Sequence, residues 1–229
     1  MSANIFKDLD VDIVSKVPRQ YCKYIVNVLR EQLQTQVIPA GSTCLAEVSG
    51  DVDVVVQCEN REELWQNLTD RFSEVRRTGT AFFILYECSG LGHVQVDIWP
   101  SCNARDDAWS LAGGRPGGIK GRYRNILLGY LAKRKSLETG VKLTFASPGG
   151  YGERGKQRVT NPKTILACLG VPCTPEEGTS FEKIVESLVS TGQKERLVGF
   201  DDYVRNPRDH MPEQTEEAIS YVNAFLLDN

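Results

Sequence analysis

The sequence predicts an α+β protein, in which a small mixed sheet with helices on one face precedes a small, mainly helical C-terminal domain. Three observations support this prediction. Apolar residues recur at helical spacing near the start of the chain and again towards its end, whereas short apolar and β-branched stretches between them are typical of strands. After about residue 105 the sequence becomes glycine-rich and basic. We therefore expect one domain over residues 1–108 and a second over residues 109–229.

The elements of the first domain follow from these patterns in order. The stretch DIVSKVPRQYCKYIVNVLREQLQ carries apolar side chains on one stripe and predicts a helix. The strand QVIPA follows, with Pro39 at its end, because proline removes a ladder hydrogen bond. DVDVVVQC predicts the next strand, and REELWQNLTDRFSEV predicts a helix that crosses back over the sheet. TAFFILYECSG and GHVQVDIWP predict two more strands, the second of which stops at Pro100.

The second domain is predicted as helices joined by flexible basic loops such as SPGGYGERGKQ. RYRNILLGYLAKRKSLETG predicts a helix with a basic face that ends at Gly140. NPKTILACLG predicts a helix with Asn161 as N-cap, Pro162 at the first position and Gly170 beyond the end. SFEKIVESLVSTG and TEEAISYVNAFLL predict the last helices.

The composition excludes several classes of protein. The chain has 229 residues, of which 41% are hydrophobic and 25% charged, as in ordinary globular proteins. It has no run of about 18 apolar residues, so we expect no membrane span. Its first residues lack the features of a signal peptide. Seven cysteines without a CxxC pair and only two histidines favour reduced thiols over disulfides or a Cys/His zinc site. We expect a monomer of the cytoplasm or nucleus, or of a virus particle, and not a secreted protein.

The net charge of −3 conceals a basic block over residues 111–165. This window has 12 Lys and Arg against 2 Asp and Glu, a net charge of +10, so the remaining residues sum to −13. A basic block can neutralise phosphates and release their counterions, which favours a polyanionic partner. The alternative is a solvated basic surface without a ligand.

Two aspartates lie within an otherwise apolar strand, in GSTCLAEVSGDVDVVVQ. Asp51 and Asp53 are one residue apart and therefore share a face of the strand, where like charges repel unless a cation compensates them. A later strand, VQVDIW, supplies Asp97, and the three carboxylates can meet at one edge of the sheet. Hard oxygen ligands favour Mg²⁺ or Mn²⁺. Two such ions, about 3.5–4 Å apart, can activate an attacking hydroxyl and stabilise a leaving pyrophosphate.

A glycine–serine turn precedes these aspartates. Gly41 lets the backbone approach a phosphate closely, and Ser42 supplies amide and hydroxyl donors. An Asp-x-Asp pair alone is often only a solvated feature of an edge strand. The combination with the turn and with a third strand aspartate is more specific and predicts that metal ions and a nucleoside triphosphate bind here.

These motifs resemble the palm signature of the polymerase β-like nucleotidyltransferase superfamily, and within it the family X DNA polymerases most closely. GSTCLAEVSGDVDVVV and VQVDIW carry the resemblance, and WSLAGGRPGG, RYRNILLGYLAKRK and LGVPCTPEE stand at comparable places. The resemblance implies that residues 1–108 hold an N-terminal helix and a catalytic nucleotidyltransferase palm, with two Mg²⁺ or Mn²⁺ ions at Asp51, Asp53 and Asp97. Residues 109–229 would close over the nucleotide and bind nucleic acid.

The resemblance also implies further site residues. Those for the nucleotide are Gly41, Ser42, Gly113, Gly114 and Arg115. Those for nucleic acid are Lys120, Arg122, Arg124, Asn125, Lys133 and Arg134. Trp109 is a candidate to stack on a base.

The chain departs from the family pattern at several points. No arginine follows the glycine–serine pair, Gln95 replaces the basic residue usual two positions before the third aspartate, and the turn SLAGG lacks the aromatic pair that selects deoxyribose. Too few residues precede the palm for the lyase domain of many members.

The expected function is that of a compact DNA polymerase, which extends a 3′ end on primer–template or gapped DNA. Asp51 and Asp53 would coordinate both metal ions. Asp97 would complete the catalytic metal site and draw the proton from the primer 3′ hydroxyl through the metal. One alternative is a template-independent nucleotidyltransferase that acts on RNA, protein or a small molecule. Another is a non-catalytic nucleic-acid-binding module of the same fold.

Overall fold

The computed structural model describes residues 5–113, 117–205 and 212–227. The chain divides into two compact units, Met1–Ala108 and Trp109–Asn229. The described residues form a five-stranded mixed sheet, two small two-stranded sheets and eight α-helices, which confirms the predicted α+β class. Within these ranges no helix has the length and apolar character needed to cross a membrane.

The first unit begins with an irregular segment and continues with alternating helices and strands. In chain order these are β1 (Val17–Pro18), α1 (Arg19–Leu33), β2 (Val37–Pro39), β3 (Val48–Ser49), β4 (Val52–Gln57), α2 (Arg61–Arg71), β5 (Val75–Arg77), β6 (Phe82–Cys88) and β7 (Gly92–Ser101). The chain passes to the second unit within α3 (Ala104–Ser110).

The main sheet has the strand order β2-β4-β7-β6-β5. In this sheet β4 and the central strand β7 run parallel, and the other neighbouring strands are antiparallel. Pro39 ends β2, as predicted, at the edge of this sheet. A separate antiparallel pair is formed by β1 and β3.

The two faces of the main sheet are covered differently. Alternate residues of β4, β6 and β7 pack against the apolar stripes of α1 and α2 in one core. The opposite face carries Asp53 and Asp97, and beside them a smaller apolar cluster of Phe6, Phe83 and Leu85. This second face is therefore only partly apolar, and part of its cover comes from residues 5–13, which we call the leading segment.

The second unit is built around one long helix. In chain order its elements are α4 (Gly121–Thr139), β8 (Leu143–Ala146), β9 (Gly150–Glu153), α5 (Pro162–Leu169), α6 (Phe181–Ser190), α7 (Phe200–Val204) and α8 (Pro212–Leu227). Tyr123, Leu127, Leu128 and Leu131 of α4 are fully buried in a core shared with α5, α6, α7 and α8. The stretch SPGGYGERGKQ, predicted as a loop, contributes instead to the antiparallel hairpin of β8 and β9.

Helix ends agree with the capping patterns in the sequence. The side chain of Asn161 accepts a hydrogen bond from the backbone N–H of Thr164 at 3.1 Å, and Pro162 opens α5. Gly140 and Gly170 follow α4 and α5 in the left-handed conformation, at φ of 70° and 65°.

Candidate functional site

The register of the two central strands sets the geometry of the candidate site. Asp53 of β4 lies directly opposite Asp97 of β7. Neighbouring strands are about 4.8 Å apart, and paired residues of parallel strands present their side chains to the same face. The two carboxylates are therefore neighbours on the face that α1 and α2 leave uncovered. Asp51 precedes Asp53 by two positions, just before β4 begins.

This arrangement concentrates negative charge in a poorly solvated place. Asp97 is 2% exposed and Asp53 is half-buried. Burial, followed by repulsion from Asp51 and Asp97, raises the pKa of Asp53 to about 8. Loss of water and nearby like charges both disfavour the ionised carboxylate. A bound cation would reverse both effects.

The backbone of Gly41 lies in close contact with the Asp53 side chain. It has φ of +57°, and a Cβ atom there would lie 2.3 Å from Asp53 Oδ2. Only glycine satisfies both the left-handed backbone and this approach. The turn is held in place because the Ala40 N–H donates to the Asp53 carbonyl at 2.9 Å, and the Asp53 N–H donates to Thr43 Oγ1 at 2.7 Å. The glycine–serine turn and the strand carboxylate thus form one local structure.

Three side chains that the sequence did not predict as site residues, Thr43, Ser49 and Gln95, form hydrogen bonds with residues of the candidate site. Thr43, 1% exposed, anchors the Asp53 backbone as just described. The Ser42 hydroxyl shares a hydrogen bond with Ser49 Oγ in this structure. Gln95 Nε2 donates to Asp97 Oδ1 at 2.8 Å, so Gln95 contacts one of the two paired carboxylates directly. The alternation of β7, which puts residues 95 and 97 on one face, was the available signal for Gln95.

The donor set fits a hard divalent cation. Within the described ranges, no three Asp, Glu, His or Cys side chains lie together closely enough to hold an ion by themselves. Mg²⁺ is usually held by one or two carboxylates, with water and substrate phosphates as the other ligands. Asp53 and Asp97 supply such a pair, and the raised pKa of Asp53 marks a position where cation binding would relieve repulsion.

Arg124 does not lie where the sequence predicted. It is fully buried in the second unit, where Nε donates to the Gly178 carbonyl at 2.6 Å and Nη1 to the Ser110 carbonyl at 3.2 Å. Its guanidinium carbon lies 4.0 Å from the centroid of the Trp109 ring, and the Trp109 indole donates to the Pro175 carbonyl at 2.7 Å. The assignments of Arg124 to nucleic acid and of Trp109 to base stacking are therefore corrected, because both side chains are packed inside the unit.

The other predicted nucleic-acid residues divide into two groups. Lys120, Arg122 and Lys133 are exposed. Asn125 accepts from Arg124 Nη1 at 2.7 Å, and Arg134 donates to the Val198 carbonyl at 3.0 Å, so both side chains are engaged within the unit.

The predicted nucleotide-binding glycine turn is described only in part. The Gly113 carbonyl accepts from the Gly121 N–H at 2.9 Å, which fixes this residue against the start of α4. A Cβ atom on Gly121 would lie 2.7 Å from Gly113 Cα, so the two backbones are in close contact. Gly114 and Arg115 lie outside the described residues.

No protein-family model matches this chain, and no curated protein matches it. The interpretation of the site therefore depends on its residues and their geometry.

Proposed function

We propose that the protein is a metal-dependent nucleotidyltransferase that adds nucleotides to a DNA 3′ end and releases pyrophosphate. The observation that carries this proposal is the pairing of Asp53 with Asp97 on adjacent parallel strands, with Asp51 two positions away and Gly41 against Asp53 Oδ2. A carboxylate pair beside a tight glycine turn suits an ion that also binds substrate phosphates.

The residues have distinct roles in this proposal. Asp53 and Asp97 would hold Mg²⁺ or Mn²⁺, and Asp51 would join them when two ions are bound. Bound in this way, the ions would activate the attacking 3′ hydroxyl and stabilise the pyrophosphate that leaves. The turn at Gly41 and Ser42 would bring backbone N–H groups to the triphosphate. DNA phosphates would contact exposed cations of the second unit such as Lys120 and Lys133. The protein would act as a monomer in the cytoplasm or nucleus, or in a virus particle.

A template-independent transferase that acts on RNA, protein or a small molecule is the second candidate. The observation that favours it is the burial of Arg124, which removes a cation from the surface available to a duplex, while the half-buried Arg134 is engaged by the Val198 carbonyl. The three carboxylates would serve either reaction.

Labelled-primer extension tests the proposal and separates these two functions. Primer–template, gapped, blunt and single-stranded DNA, and an RNA primer, would be compared with dNTPs and NTPs in Mg²⁺ or Mn²⁺. Extension that requires a template supports the polymerase, whereas equal extension of single strands supports the second candidate. No incorporation into any of these acceptors, together with no Mn²⁺ binding, would refute the proposal.

A further inference from the structure

Arg76 and the buried Phe6 side chain hold the leading segment against the carboxylate face of the sheet. Phe6 is fully buried in the cluster with Phe83. Arg76 of β5 donates from Nη1 to the Ile5 carbonyl at 2.5 Å and from Nη2 to Asp8 at 2.8 Å. Its guanidinium carbon lies 4.8 Å from the centroid of the Phe6 ring. Arg76 therefore contacts Ile5, Phe6 and Asp8 of the leading segment.

The same segment reaches Asp97 through Gln95. The Ile5 N–H donates to Gln95 Oε1 at 3.1 Å, and Gln95 Nε2 donates to Asp97 Oδ1 at 2.8 Å. Gln95 is 5% exposed, so contacts within the protein, these two among them, orient its amide. A backbone N–H can only donate, and the amide oxygen must therefore face Ile5, which leaves the NH₂ group to face Asp97.

We propose that the docked leading segment positions Asp97 for metal binding through Gln95, and that Arg76 is the residue that keeps the segment docked. This inference rests on the proposed function. Without the Ile5 N–H, the Gln95 amide loses a hydrogen bond that fixes its orientation, so its NH₂ group is held less firmly on the Asp97 carboxylate. The segment and the metal site are then coupled, and the coupling is reciprocal, so that metal binding also favours docking.

Two neighbouring arginines allow a matched test. Arg77, the next residue of β5, donates to Glu62 at 2.9 Å and its guanidinium carbon lies 5.0 Å from the centroid of the Trp65 ring, away from the leading segment. Arg76→Gln and Arg77→Gln each remove one paired and stacked cation. We expect Arg76→Gln to weaken Mn²⁺ binding and to lower kcat by about tenfold, the lower end of what outer-shell partners of metal ligands contribute. KM for the nucleotide should stay within about twofold, and Arg77→Gln should change none of these values.

Conservative variants separate positioning from simple stability. Arg76→Lys keeps the charge opposite Asp8 but loses the planar fork, and should restore part of the lost Mn²⁺ affinity. Gln95→Met keeps the side-chain volume but removes both hydrogen bonds, and should match Arg76→Gln. A Gln95→Met protein that binds Mn²⁺ as tightly as its parent would overturn the proposal. So would an Arg76→Gln protein whose metal affinity and kcat equal those of Arg77→Gln.

Amide hydrogen exchange, measured without metal, tests the contact between the leading segment and Asp97 independently of catalysis. Arg76→Gln and Asp97→Ala should both speed exchange at residues 5–13 by about threefold or more, because each removes a contact that supports docking. Unchanged exchange in Asp97→Ala would overturn the coupling. A parent protein that neither binds Mn²⁺ nor transfers nucleotides would refute the proposed function alone, and the metal-free exchange would still decide the coupling.

Discussion

Asp53 and Asp97 face each other in register on adjacent parallel strands, on the side of the sheet opposite α1 and α2. Their neighbours Val54 and Ile98 are fully buried against those helices. The alternation of each strand therefore puts apolar side chains into the core and both carboxylates on the other face. Carboxylates in such a position lower stability by their mutual repulsion, which the proposed cation binding would relieve.

Asp53→Asn and Asp97→Asn should each abolish most nucleotide transfer while the protein stays folded. Each variant removes a charge that we propose binds metal, and the loss should exceed tenfold, since even the outer-shell partners of metal ligands contribute about 10–100-fold. Single-turnover primer extension measures the rate, and circular dichroism measures the fold. Asp70→Asn is the matched control, because Asp70 is an exposed residue of α2. Activity above a tenth of the parent in either site variant would contradict the metal assignment.

The raised pKa of Asp53 predicts how the stability of the metal-free protein depends on pH. The pKa is about 8 in the folded protein and 3.8 for an ordinary aspartate, so between these values the folded state binds the proton more tightly. The free energy of unfolding should therefore fall as pH rises from about 4 to 8, by at most about 1.4 kcal/mol per pH unit from this group. Urea unfolding of the parent and of Asp53→Asn in EDTA measures this component as the difference between the two proteins. A difference that does not change with pH would show that Asp53 ionises normally.

Gly41→Ala should damage both the turn and the carboxylate. The left-handed backbone costs a residue with a Cβ atom about 1–2 kcal/mol, and the new methyl group would lie 2.3 Å from Asp53 Oδ2. We expect a lower free energy of unfolding and weaker Mn²⁺ binding, measured by urea unfolding and by calorimetric titration.

Gly90→Ala is the control for this prediction. Gly90 also has a left-handed backbone, at φ of +78°, but a Cβ atom there would meet only Tyr21 Oη at an ordinary 3.5 Å. It should lose stability without losing metal affinity. Equal effects of the two variants on Mn²⁺ binding would mean that contact with Asp53 is unimportant.

The sequence predicted the local features of the fold and of the site because they depend on short-range patterns. The apolar, β-branched residues around Asp51 and Asp53 marked the strand β4, and the capping residues of α5 marked the ends of that helix. The pairing of Asp53 with Asp97 needs the strand register, which no local pattern specifies. The role of the leading segment was also missed, because Ile5 and Gln95 are distant in sequence.

Charge counting overestimated the basic surface for a similar reason. Arg124 lies in a basic stretch of the sequence, yet its guanidinium donates to two carbonyls and packs against an indole ring inside the second unit. Composition cannot distinguish a cation that faces water from one that satisfies buried carbonyls, because the partners come from remote parts of the chain.

The salt dependence of DNA binding should identify the cations that contact phosphates. The logarithm of the affinity should fall linearly with the logarithm of salt concentration, by about 0.9 per phosphate contact. Lys120→Gln and Lys133→Gln should each reduce this slope by about one, because both side chains are exposed. Lys135→Gln is the control, since Lys135 Nζ lies 3.1 Å from Glu138 within α4. Fluorescence anisotropy with a labelled duplex measures the slope, and a slope near zero in the parent would favour a small acceptor.

Arg124→Leu should destabilise the second unit without changing the salt slope of DNA binding. The substitution removes the donor to the buried Gly178 carbonyl and one of two donors to the Ser110 carbonyl, which keeps its hydrogen bond from Ser147 Oγ, and a buried polar group without a partner costs about 1–3 kcal/mol. We therefore expect the free energy of unfolding to fall by about 1–3 kcal/mol, together with a change in the fluorescence of Trp109, whose ring centroid lies 4.0 Å from the guanidinium carbon. Arg124→Lys keeps the charge but cannot reach both carbonyls with a planar fork, and should be nearly as unstable. A folded Arg124→Leu protein whose salt slope is lower than that of its parent by about one would instead mean that Arg124 contacts phosphate, and that its buried position is not the one it has when DNA is bound.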